Sequence, residues 1–262
     1  MKIICLIKSV PASAADTGFS ADHTLARDSV DGQLSELDEY AVEQAVRLRE
    51  AGVAEQVTYL TMGPSSATEA LSKALAIGGD DAVHVLDDAL HGSDALATSL
   101  VLAVALERCG FDLVLCGMGS TDAEMSVVPS MVAERLGLPE LAFAGELGVV
   151  DGTVRITRHT DHAVEQIEAA LPALVSVTDQ IGEARYPTFR NIVAARRKPV
   201  QVWSLADLGI EPALVGSAGA ATAVRAIGAG PARAAGTIIG DSEVAAAALA
   251  DFLAGRKLLP QP

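Results

Sequence analysis

The chain has 262 residues, 50% of them hydrophobic, with 19 Lys+Arg against 34 Asp+Glu and a formal net charge of −15. That length and composition belong to a globular protein with a full core, and the acidity excludes wrapping of duplex nucleic acid, whose affinity rests on neutralised phosphates. The three cysteines, Cys5, Cys109 and Cys116, lie in apolar runs without C-x-x-C spacing, as reduced thiols of a cytoplasmic protein do.

The opening apolar run, Ile3 to Ile7, ends at Lys8, and the later run Ala95 to Leu106 is shorter than the about 20 residues of a membrane span, so neither export nor membrane insertion is expected. From the start to about residue 137 the pattern reads βαβαβαβα. Lys2 to Ile7, Gln56 to Met62, Ala82 to Leu86 and Asp112 to Cys116 are near-continuous apolar runs, the signature of parallel strands buried on both faces. Between them the spacing predicts helices. Ser35 and Asp38 make a capping-box start to a helix that runs to Ala51 and stops at Gly52, with Glu43 and Arg47 as an i,i+4 pair. Ser66 and Glu69 make a second box, with Ala70, Leu71, Ala74 and Leu75 on one face and Gly78 at the end. Ser93 opens a third helix that ends near Gly110.

After Pro139 the rhythm changes. Leu141 to Val150 and Thr153 to His159 read as a β-hairpin on the turn Asp151-Gly152, and extended segments continue to Val177. Residues 185–203, "RYPTFRNIVAARRKPVQVW", gather Arg185, Arg190, Arg196, Arg197 and Lys198 around Phe189 in an otherwise acidic chain. An exposed aromatic flanked by arginines has the composition of an interface anchor, and its cations point to an acidic partner. From Ala213 on, the chain is Ala- and Gly-rich, with one predicted helix, Ser242 to Ala254, opening on an Asp241-Ser242 cap. No internal repeat is visible.

The fold expected is a doubly wound, mainly parallel α/β sheet with helices on both faces, followed by a β-hairpin region and an extended C-terminal arm. The expected division is residues 1–210, an α/β domain that includes the hairpin and the basic segment, and 211–262, a C-terminal arm. With strand order 3-2-1-4 a ligand sits beyond the carboxyl ends of strands one and four, between Ser9 to Ser13 and the segment Cys116 to Pro129. Gly117 and Gly119 let the backbone approach a ligand; Ser120, Thr121 and Asp122 offer polar contacts; a helix opening near Ala123 or Glu124 offers free N–H groups to a phosphate. Loops of this composition are equally often plain turns with a cap, and the spacing is neither a P-loop nor a dinucleotide fingerprint. His159 and His162 fall on opposite strand faces, which disfavours a metal site. No nucleophile triad is marked, and Glu165 and Glu168 read as solvated charges.

Four ordered segments then resemble the β subunit of electron transfer flavoprotein: "LDEYAVEQAVRLRE", "TMGPSSATEALSKALAIGGDDAVHV", "GMGSTDAEMSVVPSMVAERLGLP", and "RHTDHAVEQIEAALPALVSV" with "EARYPTFRNIVAARRKPV". The similarity covers residues 1 to about 210. It implies a non-catalytic electron carrier that pairs with a homologous α subunit holding most of an FAD, and that buries an AMP of structural role. By the same resemblance the AMP pocket is lined by Leu6, Ser35, Met62 and the loop Gly117, Met118, Gly119, Ser120, Thr121, Asp122, Ser126, Val127 and Val128. Better-known members carry Asn, Gln and Thr where this chain has Ser126, Val127 and Val128, so the phosphate is left to backbone N–H groups. Ser13 and Leu37 match positions that carry aromatic rings beside the flavin, and His159 replaces an acidic residue that pairs with an arginine of the FAD domain. Phe189 falls where the family docks on acyl-CoA dehydrogenase-type donors, usually through Leu. The alternative is a stand-alone adenine-nucleotide sensor of universal-stress type, which needs neither hairpin, basic segment nor Ala-rich tail.

Overall fold

A computed structural model of the chain describes residues 1–12, 18–27, 30–228, 230, 236–240 and 242–259. In chain order its strands are β1 (Lys2–Leu6), β2 (Ser9–Pro11), β3 (Gly32–Leu34), β4 (Gln56–Met62), β5 (Asp81–Val85), β6 (Leu113–Gly117), β7 (Glu140–Ala144), β8 (Glu146–Val150), β9 (Thr153–His159), β10 (Val164–Ala170), β11 (Ala173–Val177) and β12 (Val200–Trp203). The α-helices are α1 (Glu36–Glu50), α2 (Thr68–Ile77), α3 (Ala95–Cys109), α4 (Val128–Leu136), α5 (Phe189–Ala195), α6 (Leu205–Leu208), α7 (Gly216–Gly219) and α8 (Ser242–Gly255).

Seven strands form one parallel sheet ordered β12-β5-β4-β1-β6-β11-β7. Successive side chains of its apolar strands enter opposite cores. Ile3, Cys5, Val57 and Tyr59 pack with α1 and α2, whereas Ile4, Leu60, Val83 and Val114 pack with α3 and α4. Helices therefore cover both faces, and β1 has its chain successors on one side and β6 on the other, the order expected from the apolar runs.

Beyond Pro139 the expectation needs correction. Leu141 to Val150 is not one hairpin arm. Glu140–Ala144 joins the parallel sheet as its edge, with Leu141 and Ala144 buried, while Glu146–Val150 pairs antiparallel with β9. Phe143, with a φ of +63°, interrupts the extended geometry inside β7, where the register against β11 shifts, and β8 begins at Glu146 after a single intervening residue, Gly145. Asp151 and Gly152 then both take positive φ, 48° and 72°, in the tight turn expected of the pair. β10 completes a three-stranded antiparallel sheet, and β11 returns to lie between β6 and β7. Glu165 and Glu168 face Arg158 and Arg155 in cross-strand ion pairs (2.7 and 2.6 Å), surface contacts of small energetic weight.

Helix starts differ from the predicted ones by the side chain that caps. Asp94, not Ser93, opens α3, its carboxylate accepting from Ala97 N at 3.0 Å. A 3-10 turn, Ser65–Ala67, runs straight into α2, so the Ser66–Glu69 box does not form. α1 stops at Gly52 as its sequence requires, and Glu43 and Arg47 meet at 2.7 Å.

Residues 1–225 form one compact unit and 226–262 another. The first unit runs past the boundary drawn at residue 210: Val215 is fully buried, and Asp94 accepts the N–H groups of Ala221 and Thr222 at 2.9 Å. In the second unit α8 exposes Val244, Leu249 and Phe252; Asp241, its predicted cap, lies outside the described residues. Among the described residues no helix is long and apolar enough to cross a membrane.

Candidate functional site

β1 and β6 are neighbours whose chain continuations diverge, and their carboxyl ends open the crevice that such a sheet reserves for a ligand. Leu6 ends β1, Met62 ends β4 and Gly117 ends β6, so three of the predicted residues stand on adjacent strand ends. Ser35 precedes α1, donates its N–H to Lys8 O (3.0 Å), and keeps a buried hydroxyl with no hydrogen-bond partner among the described residues.

The expected Ser35–Asp38 box is absent because the carboxylate serves other donors. Asp38 is buried and accepts the N–H of Lys8 at 2.8 Å and of Gly117 at 3.1 Å, the amides that follow β1 and end β6. The first turn of α1 thereby bolts the two lips of the crevice together. A Cβ on Gly117 would meet Asp38 Oδ1 and the Leu37 backbone at 2.7 Å, a separation real Cβ atoms do not show, so only glycine fits here. Burial pushes the Asp38 carboxyl up to about 7 against the two amide hydrogen bonds and the Lys8 charge; the Asp122 charge adds to the rise. Leu37, the predicted flavin neighbour, is half-buried on the same turn, and Ser13 lies outside the described residues.

The loop from Met118 to Val127 is tied to the opposite lip by charge. Asp122, its side chain 5% exposed, receives Lys8 Nζ at 2.8 Å and Arg27 Nη2 at 2.6 Å; Lys8 also donates to Ser120 Oγ and Arg27 to Ser9 O. Burial raises the Asp122 carboxyl, but Lys8, Ser120 and Arg27 outweigh it and hold it down at about 2. Pattern reading singles out neither Lys8 nor Arg27, and gives Asp38 only as a cap; the visible signal is a lone lysine directly after an apolar strand. Beside the lock a cleft of about 360 Å³ is lined by Pro11, Phe19, Leu25, Glu36, Thr121 and Asp122.

The helix expected at Ala123 or Glu124 begins instead at Val128. Ala123 and Glu124 close a turn on Ser120 O, and the left-handed φ of Glu124 (50°) and Ser126 (52°) bars helix there. α4 then opens on Val127 with no side-chain cap, a proline in its first turn. Its free N–H groups and positive dipole end are the features that hold anions. The neighbour of Gly119 is Ser126, whose Oγ would lie 2.8 Å from a Cβ, so part of the need for glycine there is internal to the loop.

The basic segment forms α5, capped by Thr188, whose hydroxyl accepts Asn191 N at 3.2 Å. Phe189 is 82% exposed, Ile192 and Val193 are exposed beside it, and Arg190, Arg196 and Arg197 are exposed. Arg185 and Lys198 differ from those three cations. Arg185 forks onto Glu43 and Glu50, and Lys198 donates to the carbonyls of Leu75 and Gly78. At those two positions each cation is engaged inside the chain by groups distant in sequence. His159 ends β9, exposed, with its ring against Gly145.

Residues 22–208 match the family model described as "Electron transfer flavoprotein domain". The chain is 40% identical over 263 residues to the electron transfer flavoprotein subunit beta of Mycobacterium tuberculosis (strain ATCC 25618 / H37Rv), covering 98% of this chain and 99% of that one. It is 41% identical over 263 residues to the same-named protein of Mycobacterium leprae (strain TN), with the same coverage, and 31% identical over 246 residues to that of Megasphaera elsdenii, covering 91% of each. With the doubly wound sheet in place and the match running along nearly the whole chain, this protein belongs to the electron transfer flavoprotein family as a β subunit, with a role in electron transfer.

Proposed function

We propose that the chain works as one half of a cytoplasmic heterodimer whose α subunit holds most of an FAD, that its crevice buries an AMP of structural role, and that α5 docks acyl-CoA dehydrogenase-type donors. Bound FAD would supply the redox chemistry for moving electrons from the donor towards the respiratory chain. This chain encloses it, with Leu37 on the flavin side of α1.

The nucleotide reading is supported by an uncapped helix N-terminus, α4, at the end of the loop that leaves β6, and by the buried hydroxyl of Ser35 ahead of α1, which has no partner among the described residues. Both features fit a nucleotide. The phosphate takes backbone N–H groups at Val128 and Ser130, since Val127 and Val128 offer no side-chain donor, and the apolar ends of β1 and β4 at Leu6 and Met62 suit a purine. The α partner is supported by the apolar residues that α8 exposes, Val244, Leu249 and Phe252, a composition suited to a covering partner.

Co-expression with the α subunit tests the assembly and the nucleotide together. A yellow heterodimer should elute with FAD and release AMP into the supernatant on heating, while the chain expressed alone should be colourless. A yellow monomer with stoichiometric FAD, or a heterodimer whose supernatant lacks AMP, would overturn the corresponding half of the reading.

A further inference from the structure

α5 is too short to hold itself. A helix of seven residues has no stability of its own in water, and of its residues only Ala195 is buried, so apolar burial contributes little to its order. Yet the segment carries the chain's most exposed aromatic residues, Tyr186 at 94% and Phe189 at 82%. Something other than its own core must fix it.

Polar posts stand at both ends. At the start, the Arg185 guanidinium and backbone meet Glu43 through Nε (2.8 Å), Nη2 (3.1 Å) and N (3.2 Å), and Glu50 through Nη1 (2.6 Å) and Nη2 (2.8 Å). Glu43 is 3% exposed and also accepts from Arg47 Nε at 2.7 Å. Burial raises its carboxyl, but the hydrogen bonds from Arg185 and Arg47 prevail and hold it below the usual range. At the far end, Lys198 Nζ donates to Leu75 O (2.7 Å) and Gly78 O (3.0 Å), carbonyls at the C-terminal end of α2 where the helix dipole favours a cation. Between the posts, the side chains of Arg190, Arg196 and Arg197 form no hydrogen bond or ion pair among the described residues, and Arg197 bonds only through its backbone, to Ala194 O.

We propose that Arg185 and Lys198 are positioning residues that clamp the docking segment to α1 and α2, and that the charge offered to an acidic partner comes from Arg190, Arg196 and Arg197 alone. The proposal rests on the reading of α5 as the docking element. It divides a run of like residues by task. A segment held at both ends meets its partner already ordered, so association carries less entropy cost; exposed cations speed the encounter and are screened by salt.

The test uses the assembled α/β complex and two readouts, hydrogen exchange of the amides of residues 186–197 and the salt dependence of electron uptake from an acyl-CoA dehydrogenase reduced by its substrate. Arg185→Gln and Lys198→Met should each raise exchange of those amides on the order of tenfold and raise the apparent KM, with the salt dependence unchanged. Arg185→Lys, which keeps the charge but cannot fork onto two carboxylates, should reproduce the exchange change if the Gln variant fails to assemble. Arg196→Ser and Arg197→Ser should leave exchange as in the parent and flatten the salt dependence. Unchanged exchange in the Arg185 and Lys198 variants, or a salt dependence that flattens in them as in Arg197→Ser, would overturn the proposal. If neither these variants nor Phe189→Ala alter KM, the docking reading fails, while the exchange data still decide the clamp.

Discussion

Asp38 and Glu43 are buried carboxylates on the same helix, about 8 Å apart along its axis, and they are satisfied in opposite ways. Asp38 faces the crevice and is held by backbone amides, with its carboxyl pushed up to about 7 by burial. Glu43 faces the root of α5 and is held by guanidinium groups that keep it below its usual range against the effect of burial. The crevice end therefore fixes backbone and leaves its charge unpaired, as suits a site whose ligand is met by N–H groups. The α5 end pairs its charge fully, as suits a mechanical post.

The largest expected effect lies where the crevice is tightest. Gly117→Val places a Cβ 2.7 Å from both Asp38 Oδ1 and the Leu37 backbone, and neither can retreat without opening the lips. Urea denaturation of the complex should show a loss of about 3 kcal/mol, the upper range for overpacking, with AMP content falling in step. A variant as stable as the parent and still loaded would show that the lips move freely.

Glu43→Ala comes next. It strips the shared acceptor from Arg185 and Arg47, but those side chains are 35% and 50% exposed, so water softens the loss. The expected cost is about 2 kcal/mol, below that of breaking a fully buried pair. In the parent this carboxylate contributes stability above its ordinary ionisation range and loses it as pH falls below about 4; acid denaturation of the variant should lack that component. A cost confined to nucleotide content would place Glu43 with the crevice instead.

Much of this contrast was hidden from the sequence, for physical reasons. Apolar runs and glycine stops located β1, β4, β5, β6 and α1 within a residue or two, because buried parallel strands and an amphipathic helix are local patterns. Partners at long range are not local. Arg185 finds Glu43 across 142 positions, and Asp38 finds Gly117 across 79, so a run of cations read as one patch and a box read as a cap. α4 starts later than the pattern predicts because Glu124 and Ser126 adopt left-handed backbone that their identity does not announce. "ALVSV" could not declare itself an interior strand rather than a hairpin arm; only its full burial between β6 and β7 does.

Asp38→Asn separates the two carboxylates by pH at a cost of about 1 kcal/mol at neutral pH, since the Asn amide nitrogen leaves one of the two N–H groups without an acceptor and relief from burying a charge offsets part of that loss. Asp38 is protonated in the folded chain and ionised in the unfolded chain between about pH 4 and about 7, so its contribution to stability falls as pH rises through that window. The Asn variant should flatten that part of the stability profile, measured by urea unfolding at stepped pH. A profile identical to the parent would mean that the carboxyl does not titrate there.

Phe189→Ala should have the smallest effect on stability and a clear one on function. The ring is 82% exposed and contributes nothing to either core, so unfolding of the complex and the flavin spectrum should match the parent. If the ring is the anchor that a donor's pocket receives, its truncation should raise the apparent KM for an acyl-CoA dehydrogenase on the order of tenfold, the scale of one interface hot spot. The maximal rate should hold, because the path from donor to flavin is unchanged once docked. The same truncation in an Arg185→Lys background should cost less, since an anchor on a loosened segment has already lost part of its advantage. Equal losses in both backgrounds would show that the clamp and the anchor act independently, and an unaltered KM in both would remove Phe189 from the docking surface.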